Sequence, residues 1–204
     1  MKMKFAIHTI LCLGTLFPYV GFAQTEQNNR TVDINIVYGK RHIFTIETPI
    51  GWINDKEFAQ KIRLVNFFYA RADSSVIQKS YMYANGYDKL SINETLEDFI
   101  NIDLRKYRMK YPEFKYEIVE IELTGGVKNG KLYSFSNLTD RYREEVLYSE
   151  TESAIIIFAF SATTQKDYEN YQSAFDAFIM SFNYRGDNPK AFLEYMDKNK
   201  QMFK

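Results

Sequence analysis

The chain has 204 residues, of which 26 are basic and 26 acidic, with two histidines, one cysteine and a hydrophobic fraction of 46%. Balanced charge without a basic block excludes the electrostatic footprint of a nucleic-acid or anionic-membrane binder. One cysteine allows no internal disulfide, and the small stock of nitrogen and sulfur ligands argues against zinc, copper or haem.

The chain opens with Lys2 and Lys4, an apolar run from Phe5 to Val20, and Gly21-Phe22-Ala23 before Gln24. This is the pattern of a secretory signal peptide over residues 1–23, too short for the ~20 apolar residues of a membrane span. Cleavage near Gln24 takes away Cys12 and His8, leaving His42 as the one imidazole. It also takes Lys2 and Lys4 from the 26 basic residues, so 24 remain against 26 acidic. The mature protein is expected to be periplasmic or secreted, with no integral membrane segment. About 180 residues suffice for one domain held by its own core.

Residues 24–31 are polar and read as a flexible lead-in. Val32 to Ile36 alternates as a strand does, Gly39-Lys40 offers a turn, and His42 to Thr48 continues as a second strand before Pro49, so a hairpin is expected. Trp52, after Pro49 and Gly51, reads as a packing anchor at a corner. Ile62 to Ala70 and Val76 to Tyr83 read as a strand pair around a loop at 71–75, with Asn85-Gly86 ending the second. Ser91 and Glu94 have the spacing of a capping box. The helix it opens carries Leu96, Phe99, Ile100, Leu104, Tyr107 and Tyr111 on one face and stops at Pro112. Acids early in it (Glu97, Asp98, Asp103) and bases late (Arg105, Lys106, Arg108, Lys110) suit the helix dipole.

Four strands follow, Tyr116–Leu123, Leu132–Leu138, Tyr142–Ser149 and Ala154–Ala162, joined by short turns into an antiparallel meander. The last is apolar on both parities and belongs at the centre of a sheet covered on both sides. Thr164 to Asp167 starts a helix whose face is Tyr168, Tyr171, Phe175, Phe178, Ile179 and Phe182. Asn188-Pro189 then reads as the cap and first position of a short helix with Phe192, Tyr195 and Met196 on its sticky side.

Phe44-Thr45-Ile46 leading to Pro49 and Gly51-Trp52, then a strand pair, a helix, a meander and a closing helix ending Ile179-Met180-Ser181-Phe182, resembles the PsbP-like superfamily, which includes bacterial DcrB-like and DUF1795 proteins. The resemblance implies an α+β fold in a single domain over 32–186, with a central, mostly antiparallel sheet between helices and a helical tail at 187–204. It also implies an accessory or binding role, since members include photosystem subunits, a nuclear-transport GTPase cofactor and chaperones, with no shared catalytic motif.

No catalytic set emerges from the residues themselves. His42 would have to serve any serine nucleophile, but there is no Gly-x-Ser-x-Gly elbow, and it reads as an edge-strand imidazole. Asp140, Glu144 and Glu145 read as a solvated strand edge, without the glycine-turned acidic loop that calcium uses. Glu120 and Glu122 share a strand parity about 7 Å apart, from the ~3.3 Å rise per residue, and support the alternative of a carboxylate-dependent hydrolase of envelope glycans. A periplasmic immunity protein is a further alternative. The preferred expectation is a non-enzymatic binding or accessory protein that uses no cofactor, metal or nucleic acid. It would recognise a partner protein or apolar ligand through Phe67, Tyr69, Tyr81, Tyr83, Phe192 and Tyr195.

Overall fold

The computed structural model describes residues 33–71, 79–91, 93–123, 127 and 130–199. The expected leader, the whole 24–31 lead-in and the 72–78, 124–126 and 128–129 segments lie outside them. The hairpin is present as β1 (Ile34–Tyr38) and β2 (Ile43–Glu47), with Ile36 opposite Thr45. Gly51 then adopts φ +82° in a turn closed by the Trp52 amide donating to the Pro49 carbonyl at 3.0 Å, a conformation that favours glycine. β3 (Trp52–Asn54) follows.

The strand expected over Ile62–Ala70 begins only at Phe68: Ile62 caps the C-terminus of a preceding helix and residues 62–67 are turn and loop. α1 (Lys56–Lys61) is capped by Asp55, whose carboxylate accepts the Phe58 amide at 2.8 Å, and only Phe68–Ala70 form a strand, β4. A cap and one buried alanine suffice to start a two-turn helix whose sequence has no apolar period to reveal it. β5 (Ser80–Asp88) also runs past Asn85-Gly86, pairing as far as Asp88 with Ala154, because Gly86 meets a side chain rather than a turn.

α2 (Leu96–Lys110) starts four residues later than the Ser91 spacing suggests. Thr95 is its cap, in a reciprocal box with Asp98, while the Glu94 amide donates to the Ser91 carbonyl in a turn. Two overlapping hydroxyl-x-x-acid patterns compete, and the one adjoining the apolar period wins. β6 (Lys115–Ile121), β7 (Gly130–Ser136), β8 (Arg143–Glu150) and β9 (Ala154–Ala162) form the expected meander. α3 (Gln165–Met180), β10 (Asn183–Gly186) and α4 (Pro189–Lys198) close the chain.

The strands make two antiparallel sheets. The larger has the order β3-β4-β5-β9-β8-β7-β6 and the smaller the order β1-β2-β10. β9 is the middle of seven and buried along its whole length. Its even-numbered residues from Ala154 to Ala162 join Phe68, Met82, Phe175, Phe178 and the inner face of the small sheet, Val37, Phe44 and Ile46. Ile155, Ile157 and Ala159 join Leu96, Ile100, Tyr111, Phe135 and Tyr148 under α2. Helices therefore cover both faces, as expected, and the small sheet, completed by β10 pairing antiparallel to β2, shares a face with α3. No helix of the described residues is long and apolar enough to cross a membrane.

One contact fastens the hairpin to the large sheet. Asp88 accepts the Lys40 amide at 2.8 Å, the Arg41 amide at 2.9 Å and His42 Nδ1–H at 2.9 Å. Partial burial works to raise its pKa, but these donors prevail and hold it below the ordinary carboxylate range. His42 is not an edge residue: it is 1% exposed, and a Cβ on Gly39 or on Gly86 would lie 2.3 Å from its ring. The two glycines are the walls of a slot for this imidazole.

Candidate functional site

The six residues expected to meet a partner separate into two groups. Phe67 and Tyr81 stack at 5.2 Å, with Phe58 behind Phe67 at 4.8 Å. Phe67 is buried and offers no surface, while Tyr69 and Tyr83 are half-buried on β4 and β5. Phe67 and Tyr81 pack on each other, and Tyr83 packs against the cluster under α2. Phe192 and Tyr195 lie on α4 and border a groove instead.

Tyr81 lines a polar pocket of about 250 Å³ with Lys106, Tyr107, Lys110, Tyr111, Arg141 and Glu144. The Arg141 guanidinium is its centre. Nη1 donates to Glu144 Oε2 at 2.5 Å, to the Tyr81 hydroxyl at 2.6 Å and to Ser161 Oγ at 3.0 Å, while Nε and Nη2 hold both oxygens of Asp140 at 2.9 and 3.2 Å. The second Glu144 oxygen accepts the Tyr107 hydroxyl at 2.8 Å. Burial raises the Glu144 pKa even though Arg141 and Tyr107 oppose it. The Arg141 hydrogen bond in turn holds Asp140 well below its ordinary range.

Glu144 and Glu145 are therefore not a solvated edge. β8 is an interior strand, both side chains are buried, and they point to opposite faces of the sheet. Glu145 accepts the Tyr168 hydroxyl at 2.6 Å and Ser134 Oγ–H at 3.3 Å, and burial raises its pKa. In the pocket Nε and Nη1 of the arginine are fully engaged, Nη2 gives one of its two N–H groups to Asp140, and Glu144 has both oxygens engaged. That network ties α2 to β5, β8 and β9, and leaves little capacity for ligand binding or proton transfer.

Glu120 and Glu122 are exposed, the first on the edge strand β6 and the second just past its end, and neither borders the polar pocket or the groove. Trp52 is a packing anchor, 4% exposed, with its ring edge-on to Tyr171 at 5.3 Å. Among the described residues no three His, Cys, Asp or Glu side chains converge as metal ligands would.

The groove lies between α4 and the outer face of the small sheet, with a volume of about 520 Å³. Asn188 caps α4 by accepting the Ala191 amide at 3.1 Å, Pro189 takes its first turn, and Phe192, Tyr195 and Met196 recur at positions i, i+3 and i+4, which share one helix face. Opposite them are Ile34 and Ile36 of β1, Thr45 of β2 and Arg185 of β10. The small sheet's strand alternation puts these four on one face, while Val37, Phe44 and Ile46 point into the core. Ile34 is 58% and Tyr195 52% exposed, so helix and sheet stand apart rather than closing on each other. The sequence shows the helix half of this groove through its sticky face. The β1–β2–β10 half depends on a long-range pairing that leaves no local signal.

No protein-family model matches the chain, and no curated protein matches it. Solved structures do. The cyanobacterial PsbP, CyanoP, of Synechocystis sp. PCC 6803 is similar at 15% identity and a TM-score of 0.50, over 84% of this chain and 98% of that one. The Ran-binding protein Mog1p of Saccharomyces cerevisiae is similar at 13% identity and a TM-score of 0.46, over 74% of this chain and 94% of that one. The likeness to CyanoP shows the fold, a PsbP-like α+β domain, and assigns no residue a role.

Proposed function

We propose that the protein is a non-enzymatic binding or accessory protein that takes an apolar ligand in the groove between α4 and the small sheet, and that it acts after export to the periplasm. The groove carries this reading. It is concave, its volume of about 520 Å³ falls within the ~300–1,000 Å³ of small-molecule sites, and its walls are mostly aliphatic and aromatic with two polar groups. Large apolar side chains left exposed across such a gap, as Ile34 and Tyr195 are, are what a ligand would cover. The PsbP-like fold is compatible with a binding role, and the N-terminal pattern of two lysines, an apolar run and Gly-x-Ala supports export. DcrB-like membership belongs to the same proposal.

The test uses the neutral fluorophore N-phenyl-1-naphthylamine. We expect saturable enhancement of its emission by the wild-type protein. Met196→Asp places a charge on the groove wall of an exposed helix, and should abolish the enhancement while the circular dichroism spectrum is retained. No enhancement, or enhancement equal in the variant, overturns the reading. Detection of the protein in spheroplasts with residues 1–23 still attached would overturn the location.

A further inference from the structure

We infer that the ligand of this groove is a single-chain amphiphile with a carboxylate head, and that Arg185 receives the head. The inference rests on the groove being a ligand site and adds the chemistry of what fills it. Ile34, Ile36, Phe192 and Met196 present hydrocarbon or thioether to the gap, so the greater part of any occupant must be apolar. Thr45 and Arg185 are the two strongly polar side chains in the lining, and they stand together: Arg185 Nε–H donates to Thr45 Oγ1 at 3.3 Å.

That bond is the only partner Arg185 has among the described residues. It forms no ion pair with any carboxylate there, in contrast to Arg141, which holds both Asp140 and Glu144. Its Nη groups are left as a planar fork, matched to a carboxylate by two parallel charge-assisted hydrogen bonds. A cation at one place on an apolar gap selects a ligand with one anionic end and a hydrocarbon remainder. Arg185 is exposed, so a neutral hydrocarbon would leave its guanidinium to water and gain nothing from it, whereas a ligand charged at both ends would set its second charge against isoleucine and phenylalanine. Thr45, which is buried, fixes the arginine's approach and is a positioning residue.

The experiment is displacement of N-phenyl-1-naphthylamine from the full protein by alkanoates of 8 to 14 carbons and by the matching 1-alkanols, in wild type and in Arg185→Gln. We expect alkanoates to tighten about fourfold per methylene until the groove is full, following the transfer free energy of a methylene. Dodecanoate should displace at least tenfold better than dodecanol in the wild type, and Arg185→Gln should remove that preference with dodecanol unchanged. Equal displacement by acid and alcohol, or a preference that survives Arg185→Gln, overturns the carboxylate assignment while leaving the groove as an apolar site. A fluorophore that never binds removes both readings together. Displacement with no chain-length dependence shows that the tail is not in the groove, and also overturns the inference.

Discussion

The two faces of the large sheet are built from alternate residues of the same strands, yet they are held in different ways. On the α3 face the rings are mostly phenylalanines: Phe158 meets Phe178 at 5.4 Å, Phe182 at 5.6 Å and Phe44 at 6.4 Å, all within a continuous apolar cluster. On the α2 face tyrosines dominate, and their hydroxyls end on acids, Tyr107 on Glu144, Tyr111 on Asp140 and Tyr148 on Asp103. The α3 face is held chiefly by apolar burial, its buried Glu145 being satisfied locally by the Tyr168 and Ser134 hydroxyls. The other must also keep every buried polar atom partnered, so a small chemical change there propagates through a network.

Phe158→Ala should give the largest loss. The side chain is fully buried at the middle of the central strand, and its removal leaves a cavity whose cost is about 3–5 kcal/mol, read as a lower urea midpoint with an unchanged slope. A loss under 1 kcal/mol would mean that the small sheet and α3 collapse into the space, and the contrast between faces would be weaker than the packing suggests.

Arg141→Met comes next, at about 3 kcal/mol, because Glu144 would remain buried without its cation. Replacing Glu144 by Leu in the same protein should restore about half of that loss, since a buried pair exchanged for apolar side chains is close to neutral. Should the double variant be worse than the single, the Tyr107 and Tyr81 hydroxyls depend on Glu144 and Arg141 more than this division allows. Smaller again is Tyr148→Phe, which deletes the 2.7 Å bond to Asp103 and keeps the ring, for about 1–2 kcal/mol by thermal or urea unfolding.

These contrasts also show what the chain discloses before it folds. The meander, α2, α3 and α4 are legible because each carries a strand or helix apolar period bounded by turn or cap residues, and β9 announces its central place by being apolar on both parities. α1 has only Phe58 and Ala59 as apolar residues and no period. β10 is legible only through its partner, since Asn183 to Gly186 has no strand signature until it lies beside Thr45 and Phe44. The same holds for the sites. Phe192 and Tyr195 advertise themselves on a helix face, but Arg185 acquires its meaning from Thr45, 140 positions earlier. Glu144 looks like surface because sequence cannot show that Arg141 folds back from the preceding turn to meet it.

The smallest effect is one of pH, and it separates the acids by the sign of their shift. Glu144 and Glu145 have folded pKa values raised by burial above the ~4.3 of an unfolded glutamate. In the window above ~4.3 the native state binds more protons than the unfolded one, so each of these acids lowers stability as pH rises through its folded pKa. Asp140 and Asp88 are shifted the other way, and their contribution is lost as pH falls below ~3.9. The stability maximum is therefore expected on the acid side of neutrality, between the two windows. Glu145 allows a clean separation, because its neighbours are few: the Tyr168 and Ser134 hydroxyls, with Arg143 and Asp176 acting through charge. Glu145→Gln keeps an acceptor for Tyr168 and removes the titration, so as pH rises from ~4.3 through the folded pKa of Glu145 the urea midpoint should fall less than in the wild type, while the loss below ~3.9 stays the same. A wild-type profile that rises steadily to pH 8 would show that the bonds to Glu144 on the α2 face and to Glu145 on the α3 face outweigh the burial of both acids.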